Sequence, residues 1–219
     1  MSQRYVPALG HAWLTGLYDP VMRTTMREAT FKSRLIAQAG VHPGHHVLDV
    51  GCGTATLTMA IKQAEPMAEV VGLDGDPEVL RRAARKAADA GVVITLDEGF
   101  SDQLPYADAS FDRVLTSLLL HHLDRGSKRR TLAEIHRVLR PGGQLHIADW
   151  GRAADPVMRA AFLLVQLLDG FANTTDNVRG RIPAMLSEAG FVDVAETDRL
   201  RTVFGTLSLY RGTRPPGDR

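Results

Sequence analysis

The chain has 219 residues, 44% of them hydrophobic and 23% charged, with 26 Lys and Arg against 25 Asp and Glu for a formal net charge of +1. This length suits one core and one domain, the ordinary composition excludes a disordered or fibrous chain, and the balanced charge argues against an electrostatic nucleic-acid binder. A single cysteine, Cys52, excludes an internal disulfide framework and points to a reducing, cytoplasmic compartment.

The first forty residues read as helical, a cover for the ligand end of the sheet that follows, and they lack the long apolar core of a signal peptide. "HVLDV" (46–50) is a β-branched run ended by Gly51, and "TLTMAIKQA" follows with helical spacing. "EVVGLD" (69–74) is a second strand. Asp76 and Pro77 open a helix over "DPEVLRRAARKAADAG" that closes on Gly91. "VVITL" (92–96) reads as a third strand and "FDRVLTSLLL" (111–120) as a fourth, apolar on both faces as a central parallel strand should be. "SKRRTLAEIHRVLR" is an amphipathic helix stopped by Pro141-Gly142-Gly143, and "QLHIADW" is a fifth strand. The apolar helix "VMRAAFLLVQLLDGF" is interrupted by Arg159, Gln166 and Asp169 and is too short to span a bilayer. "VRGRIPAMLSEAG" predicts a helix closing on Gly190. "FVDVAET" and "RTVFGTLSLYR" are two β-rich runs that form a hairpin on the sheet edge, and "YRGTRPPGDR" is a frayed basic tail. The alternation predicts an α/β fold with a Rossmann-like doubly wound sheet, mostly parallel, with an antiparallel C-terminal hairpin.

The chemistry begins at "VLDVGCGTATL". Gly51 and Gly53 allow a tight turn and close approach of the backbone to a ligand, and the helix start behind them offers unpaired N–H groups. Asp49 stands two residues before the first glycine. Asp74 ends the next strand, where an acid can accept both ribose hydroxyls. A P-loop needs Gly-Lys-Ser/Thr, and none follows. NAD favours a third Gly or Ala where Thr56 stands, and Asp49 would put negative charge near its pyrophosphate. S-adenosylmethionine (SAM) has no phosphate and carries an ammonium and a sulfonium, so carboxylates by the loop are assets. The pattern therefore favours SAM over NAD. His42, His45 and His46 lack further ligands at metal spacing, and no metal is expected.

"VLDVGCGTATLT", "VVGLDGDPEVL", "LPYADASFDRV", "LLLHHL" and "EIHRVLRPGGQLHIAD" resemble, in order and spacing, the motifs of class I SAM-dependent methyltransferases over roughly residues 40–150. Within that class the chain resembles the ubiquinone/menaquinone-biosynthesis C-methyltransferases and related small-molecule enzymes, to which "LYDPVMR" and the late "AGF" are also similar. The resemblance implies a seven-stranded sheet, an EC 2.1.1 transferase activity, and SAM as cofactor with S-adenosylhomocysteine as its product. It divides the chain into an N-terminal helical cover (1–40) and a SAM-binding methyltransferase domain (41–219) with a substrate-side insertion at about 150–185. It implies that Asp49, Gly51 and Gly53 hold the methionine part of SAM, and that Asp74 takes the ribose. Gly75 and Asp76 would flank the ribose or adenine, and Ser117 and Leu118 would lie along the methionine. Tyr18, with Asp19, would close the cover over SAM. The family's segment after the third strand usually reads Gly-Asp-x-x-x-Leu-Pro, and "GFSDQLP" puts Phe100 in place of that acid. Phe100 is expected to pack on the adenine, Ser101 to offer its backbone N–H, and Asp102 to supply the missing acceptor.

Methyl transfer is an in-line displacement with an activated leaving group, so the protein mainly positions and desolvates. A base is needed only where the acceptor must lose a proton, and His122 and His121 are the candidates. Trp150, Phe162, Gln166, Phe171 and Asn173 are candidates for the substrate lining. An apolar pocket there suits a small, fairly hydrophobic acceptor such as a quinone, a phenol or a similar metabolite. A phospholipid-headgroup N-methyltransferase and a SAM-binding protein without turnover are the alternatives. Neither an Asn/Asp-Pro-Pro-Tyr element nor a Pro-Cys motif is present, and no nucleic-acid partner is expected. No transmembrane segment is expected, peripheral membrane contact stays open, and a monomer or homodimer is anticipated.

Overall fold

The computed structural model describes residues 27–217. Its strands are β1 (His46–Val50), β2 (Glu69–Asp74), β3 (Thr95–Glu98), β4 (Phe111–Ser117), β5 (Leu139–Trp150), β6 (Val192–Thr202) and β7 (Gly205–Thr213). They form one sheet in the order β3-β2-β1-β4-β5-β7-β6. Pairing is parallel from β3 through to β5. β7 is antiparallel to both β5 and β6, so it alone runs against the rest. The helices are α1 (Glu28–Ala39), α2 (Thr56–Ala64), α3 (Pro77–Asp89), α4 (Arg125–Val138), α5 (Pro156–Asp169), α6 (Phe171–Val178) and α7 (Ile182–Glu188), with a 3-10 turn at Leu120–His122.

Side chains along β1 alternate between two buried faces. Val47 packs with Phe31 and Leu35 of α1, Leu57 and Ile61 of α2, and Phe162 and Val165 of α5. Leu48 and Val50 join Leu132 and Ile135 of α4 and Leu186 of α7 on the other face. Both faces are covered, which is why the strand sequences are continuously apolar. α1 lies along the first face: Arg113 Nε at the start of β4 donates to the Ala39 carbonyl at 2.7 Å. Residues 1–26 of the expected cover lie outside the described residues.

Several local expectations shift. β3 starts three residues later than the "VVITL" run. β4 ends at Ser117, before the last three apolar residues. α4 begins at Arg125, where Asp124 caps it by accepting from the Ser127 N–H at 2.8 Å. α4 ends at Val138, and Pro141–Gly143 is a bulge within β5, not a helix stop: the register jumps between the pairs Phe111–Leu139 and Arg113–Gln144. A Cβ on Gly143 would come within 2.8 Å of the Arg140 carbonyl, so the bulge requires glycine there. The bulge is closed by Arg214, which pairs through its backbone with Gly142 at 3.0 Å and Gly143 at 2.9 Å. The "frayed" tail is thus ordered as far as Arg214, and Tyr210–Thr213 belong to β7. The helix expected over 178–190 is α7, which starts only at Ile182; Val178 ends α6, and Gly180 at φ +66° separates the two. The hairpin turn falls at Val203-Phe204, where Thr202 Oγ1 donates to the Gly205 carbonyl at 2.9 Å and accepts from the Phe204 N–H at 3.2 Å.

Candidate active site

The C-terminal ends of β1, β2, β4 and β5 bring Asp49, Asp74, Ser117 and Asp149 to one edge of the sheet. After β1 the chain turns through Gly51 (φ +71°) and Gly53 (φ +55°). The Gly51 and Cys52 N–H groups both donate to the Leu73 carbonyl, at 2.8 and 3.0 Å, strapping the loop over β2. A Cβ on Gly51 would meet the Leu119 side chain at 2.9 Å, whereas one on Gly53 would meet nothing within 4 Å. Gly53 therefore lines an open cradle. Asp74 holds the loop from the far side: its Oδ2 accepts from the Gly53 N–H at 2.9 Å and its Oδ1 from the Asp76 N–H at 3.0 Å. Each of those oxygens keeps a lone pair for a ribose hydroxyl. Burial pushes the Asp74 pKa up, with the two N–H donors pulling against it. Asp76 is occupied as the cap of α3, accepting from the Glu78 and Val79 N–H groups.

Asp49 is fully buried. Its Oδ2 accepts from Thr58 Oγ1 at 2.7 Å, and its Oδ1 finds no hydrogen-bond partner among the described residues. Burial pushes its pKa up to about 6, against the Thr58 hydroxyl and the charge of Lys32. An oxygen with this need, beside an open glycine cradle, fits an α-ammonium and repels a pyrophosphate. The donor set therefore fits SAM. Cys52 packs its thiol on Gly72, and burial pushes its pKa far above the ordinary range, so it is no nucleophile.

Phe100 is 46% exposed. Its ring lies 3.0 Å from where a Gly75 Cβ would stand, so Gly75 leaves room for it. Ser101 shares a 2.9 Å hydroxyl contact with Thr131. Asp102 Oδ2 accepts from Arg130 at 3.0 and 3.1 Å, which turns that oxygen towards α4. After Ser117, Leu118 takes a left-handed φ of +57°, a strained choice for a non-glycine residue, and its N–H donates to the Ala148 carbonyl at 2.8 Å. Tyr18 lies outside the described residues.

On the acceptor side Asp149 is fully buried. Its Oδ2 accepts from the Leu120 N–H at 2.7 Å. Its Oδ1 accepts from His121 Nδ1 at 2.8 Å, the Trp150 N–H at 2.7 Å and Asn177 Nδ2 at 3.2 Å. An ionised carboxylate only accepts, so His121 carries its proton on Nδ1. Burial would raise the Asp149 pKa, but the charge and hydrogen bond of His121 and the Trp150 N–H outweigh it and hold it below the ordinary value. The His122 ring lies 3.9 Å from that of His121. Burial and the His121 charge push the His122 pKa down to about 3, leaving it neutral and weakly basic at pH 7. Trp150, Phe162 and Gln166 are buried together: the Trp150 ring lies 5.2 Å from Phe162 and 6.3 Å from His121. Phe171 stands apart, half exposed. The Asn173 carbonyl accepts from the buried Lys128 Nζ.

A family model described as a methyltransferase domain matches residues 47–143. A demethylmenaquinone methyltransferase of Symbiobacterium thermophilum is 30% identical over 205 residues, covering 82% of this chain and 80% of that one. A ubiquinone/menaquinone biosynthesis C-methyltransferase of Burkholderia multivorans is 33% identical over 216 residues, covering 90% and 86%. The chain belongs to the class I SAM-dependent methyltransferases. A solved SAM-dependent methyltransferase from Aquifex aeolicus shares the fold of this methyltransferase, with a TM-score of 0.67 at 17% identity, over 96% of this chain and 99% of that one. The protein is an EC 2.1.1 enzyme with SAM as its cofactor. No helix among the described residues is long and apolar enough to cross a membrane.

Sequence reasoning missed three residues that the structure brings to this methyltransferase's candidate site. Asp149 stands one residue before the end of β5, as Asp49 does in β1, and that position on a strand was its available signal. Thr58 is the third residue of α2, and nothing in its neighbours marks it. Asn177 lies in the polar end of "FANTTDN", a stretch whose polarity in an otherwise greasy insertion was the only hint.

Proposed function

We propose that this methyltransferase methylates a small, fairly hydrophobic acceptor: a quinone-type ring, a phenol or a similar metabolite. The observation that carries this reading is the buried Trp150–Phe162 pair beside His121, next to an Asp149 whose charge is already met by four donors. An apolar aromatic wall with no unsatisfied carboxylate suits a flat neutral ring better than a cationic amine. The two relatives named for quinone biosynthesis support it.

When bound, SAM supplies a methyl group activated on a sulfonium. Asp49 would hold the ammonium through its unmet oxygen, and Asp74 the ribose. Gly51 and Gly53 would let the backbone come close, Phe100 would cover the adenine, and Ser117 and Leu118 would border the methionine chain. Trp150 and Phe162 exclude water from the acceptor and orient it. His121 is fixed by Asp149, and His122, neutral and weakly basic, packs beside it and does not draw off a proton. Calorimetry with S-adenosylhomocysteine and NADH, followed by methyl transfer from labelled SAM to a panel of quinols, phenols, amines and phospholipids, tests the reading. Binding of NADH alone overturns the cofactor assignment, and turnover confined to amines or lipid headgroups overturns the acceptor class.

A further inference from the structure

Two amide side chains at the acceptor side carry carbonyl oxygens that the described residues leave unmet. Gln166 on α5 is 2% exposed and Asn177 on α6 is fully buried. Gln166 Oε1 and Asn177 Oδ1 find no hydrogen-bond partner among the described residues. Their orientation follows from the groups around them. Thr174 Oγ1 spends its hydrogen on the Gly170 carbonyl at 2.9 Å, so it can only accept from Gln166 Nε2 at 3.0 Å, and Oε1 faces away. Asn177 Nδ2 lies 3.2 Å from Asp149 Oδ1 and 3.0 Å from the Trp150 carbonyl, both acceptors, so its NH2 group is fixed there and Oδ1 faces away. Thr174 and Asn177 are three apart on α6 and share one helical face, which puts the two amides on the same side of the insertion, against the end of β5. Buried polar atoms are almost always paired in native proteins, so these two unmet acceptors on one side of the insertion need a donor.

We infer that Gln166 and Asn177 form a hydrogen-bond-accepting subsite that reads a hydroxyl on the acceptor ring. The inference rests on the proposed function and narrows it. Both groups are neutral, and Asp149 beside them is saturated, so the subsite favours an uncharged O–H donor over an ammonium. It rejects a ring bearing only ethers, because the two oxygens would then be sealed from water without a partner. The acceptor is thus an aryl alcohol held by its hydroxyl, beside the wall that Trp150 and Phe162 form together.

The test uses the full-length protein saturated with S-adenosylhomocysteine and two probes of one shape, 1-naphthol and 1-methoxynaphthalene, with dissociation constants measured by calorimetry. The expected result is a preference for 1-naphthol of at least tenfold, about what one buried hydrogen bond supplies. Gln166→Met, which keeps the volume and removes the acceptor, reduces that preference to under threefold while the affinity for S-adenosylhomocysteine stays unchanged. Asn177→Leu does the same. Equal wild-type affinity for the two probes overturns the inference whether or not either variant folds. So does a preference that survives both substitutions, or a crystal structure with 1-naphthol in which both amide oxygens bind only water. Failure of the wild-type protein to bind S-adenosylhomocysteine is a separate result and overturns the proposed function instead.

Discussion

Replacing Asp49 with Asn keeps the side chain's size and an oxygen for Thr58, and removes the charge. In the folded protein the carboxyl pKa is pushed from 3.8 to about 6 by burial. At 1.36 kcal/mol per unit, ionised Asp49 costs the cofactor-free fold about 3 kcal/mol at pH 7. The sign follows from proton counts. Between pH 3.8 and about 6 the folded state keeps a proton that the unfolded state has lost, so stability falls as pH rises through that window and levels off above it. Asp49→Asn removes this cost. The cofactor-free variant should melt higher at pH 7, by up to about 10 °C, an upper bound because the new NH2 group must itself find an acceptor. Cofactor binding moves the other way. Losing a charge-assisted bond to the ammonium, about 1.5–3 kcal/mol, weakens S-adenosylhomocysteine by roughly 10- to 150-fold. Wild-type affinity should also drop about tenfold per pH unit below pH 6, as Asp49 takes up its proton, while the variant's stays flat. Scanning calorimetry without cofactor and titration calorimetry from pH 5 to 8 measure both. A variant that is less stable at pH 7 and binds S-adenosylhomocysteine as tightly as wild type would refute the assignment.

Asp74→Ala removes both the loop strap on Gly53 and the ribose acceptor, and should weaken S-adenosylhomocysteine by about 2–3 kcal/mol; unchanged affinity in calorimetry would place the ribose elsewhere. Asp149→Ala strands the His121 and Leu120 donors in a buried site and should cost about 3–5 kcal/mol in urea unfolding. Because the Asp149 pKa lies below its ordinary value, its contribution is complete above that value and is lost only as pH falls through the folded one. Acid unfolding of wild type that shows no such loss would count against the Asp149 network. His122→Ala should keep turnover at pH 7 within about tenfold and leave cofactor affinity alone, since a base of pKa about 3 accepts few protons there; a thousandfold loss confined to turnover would reinstate it as the base.

The cofactor half was readable because it is local. Asp49, Gly51 and Gly53 lie within five positions, Asp74 ends the very next strand, and each obeys a rule that short stretches express: strand, tight turn, capped helix. Misplaced elements arose where distant partners decided. Pro141-Gly142-Gly143 reads as a helix stop by local propensity, but Arg214, far along the chain, pairs with both glycines and draws the segment into β5. The same pairing orders a tail whose composition suggests fraying. At the acceptor side the structure buries Trp150, Phe162 and Gln166 of the proposed lining and leaves Phe171 half exposed, a difference that their place in an apolar insertion does not show. α5 is apolar nearly all round, and only packing shows that Phe162 faces in while Leu167 and Leu168 face out.

The two halves of the site meet in three consecutive residues. Leu118, held at positive φ, bonds to Ala148; Leu119 presses on Gly51; and the Leu120 N–H is taken by Asp149. One turn after β4 thus props the cofactor loop on one side and anchors the acceptor network on the other. The left-handed backbone at Leu118 leads into both contacts, one made by Leu119 and the other by Leu120. A change in this turn should disturb cofactor and acceptor together. A change in α5 or α6 reaches the cofactor half through Asp149, which Asn177 of α6 helps to hold, and through Phe162 and Val165 of α5, which pack with Val47 and Leu57. The hydrogen bonds that set the cofactor loop nonetheless run between Gly51–Gly53, Leu73 and Asp74, with no residue of the insertion at about 150–185 among them. That separation is why motifs after β1 and β2 identify the cofactor so firmly and say nothing of the acceptor, whose chemistry has to be read from Trp150, Phe162, Gln166 and Asn177.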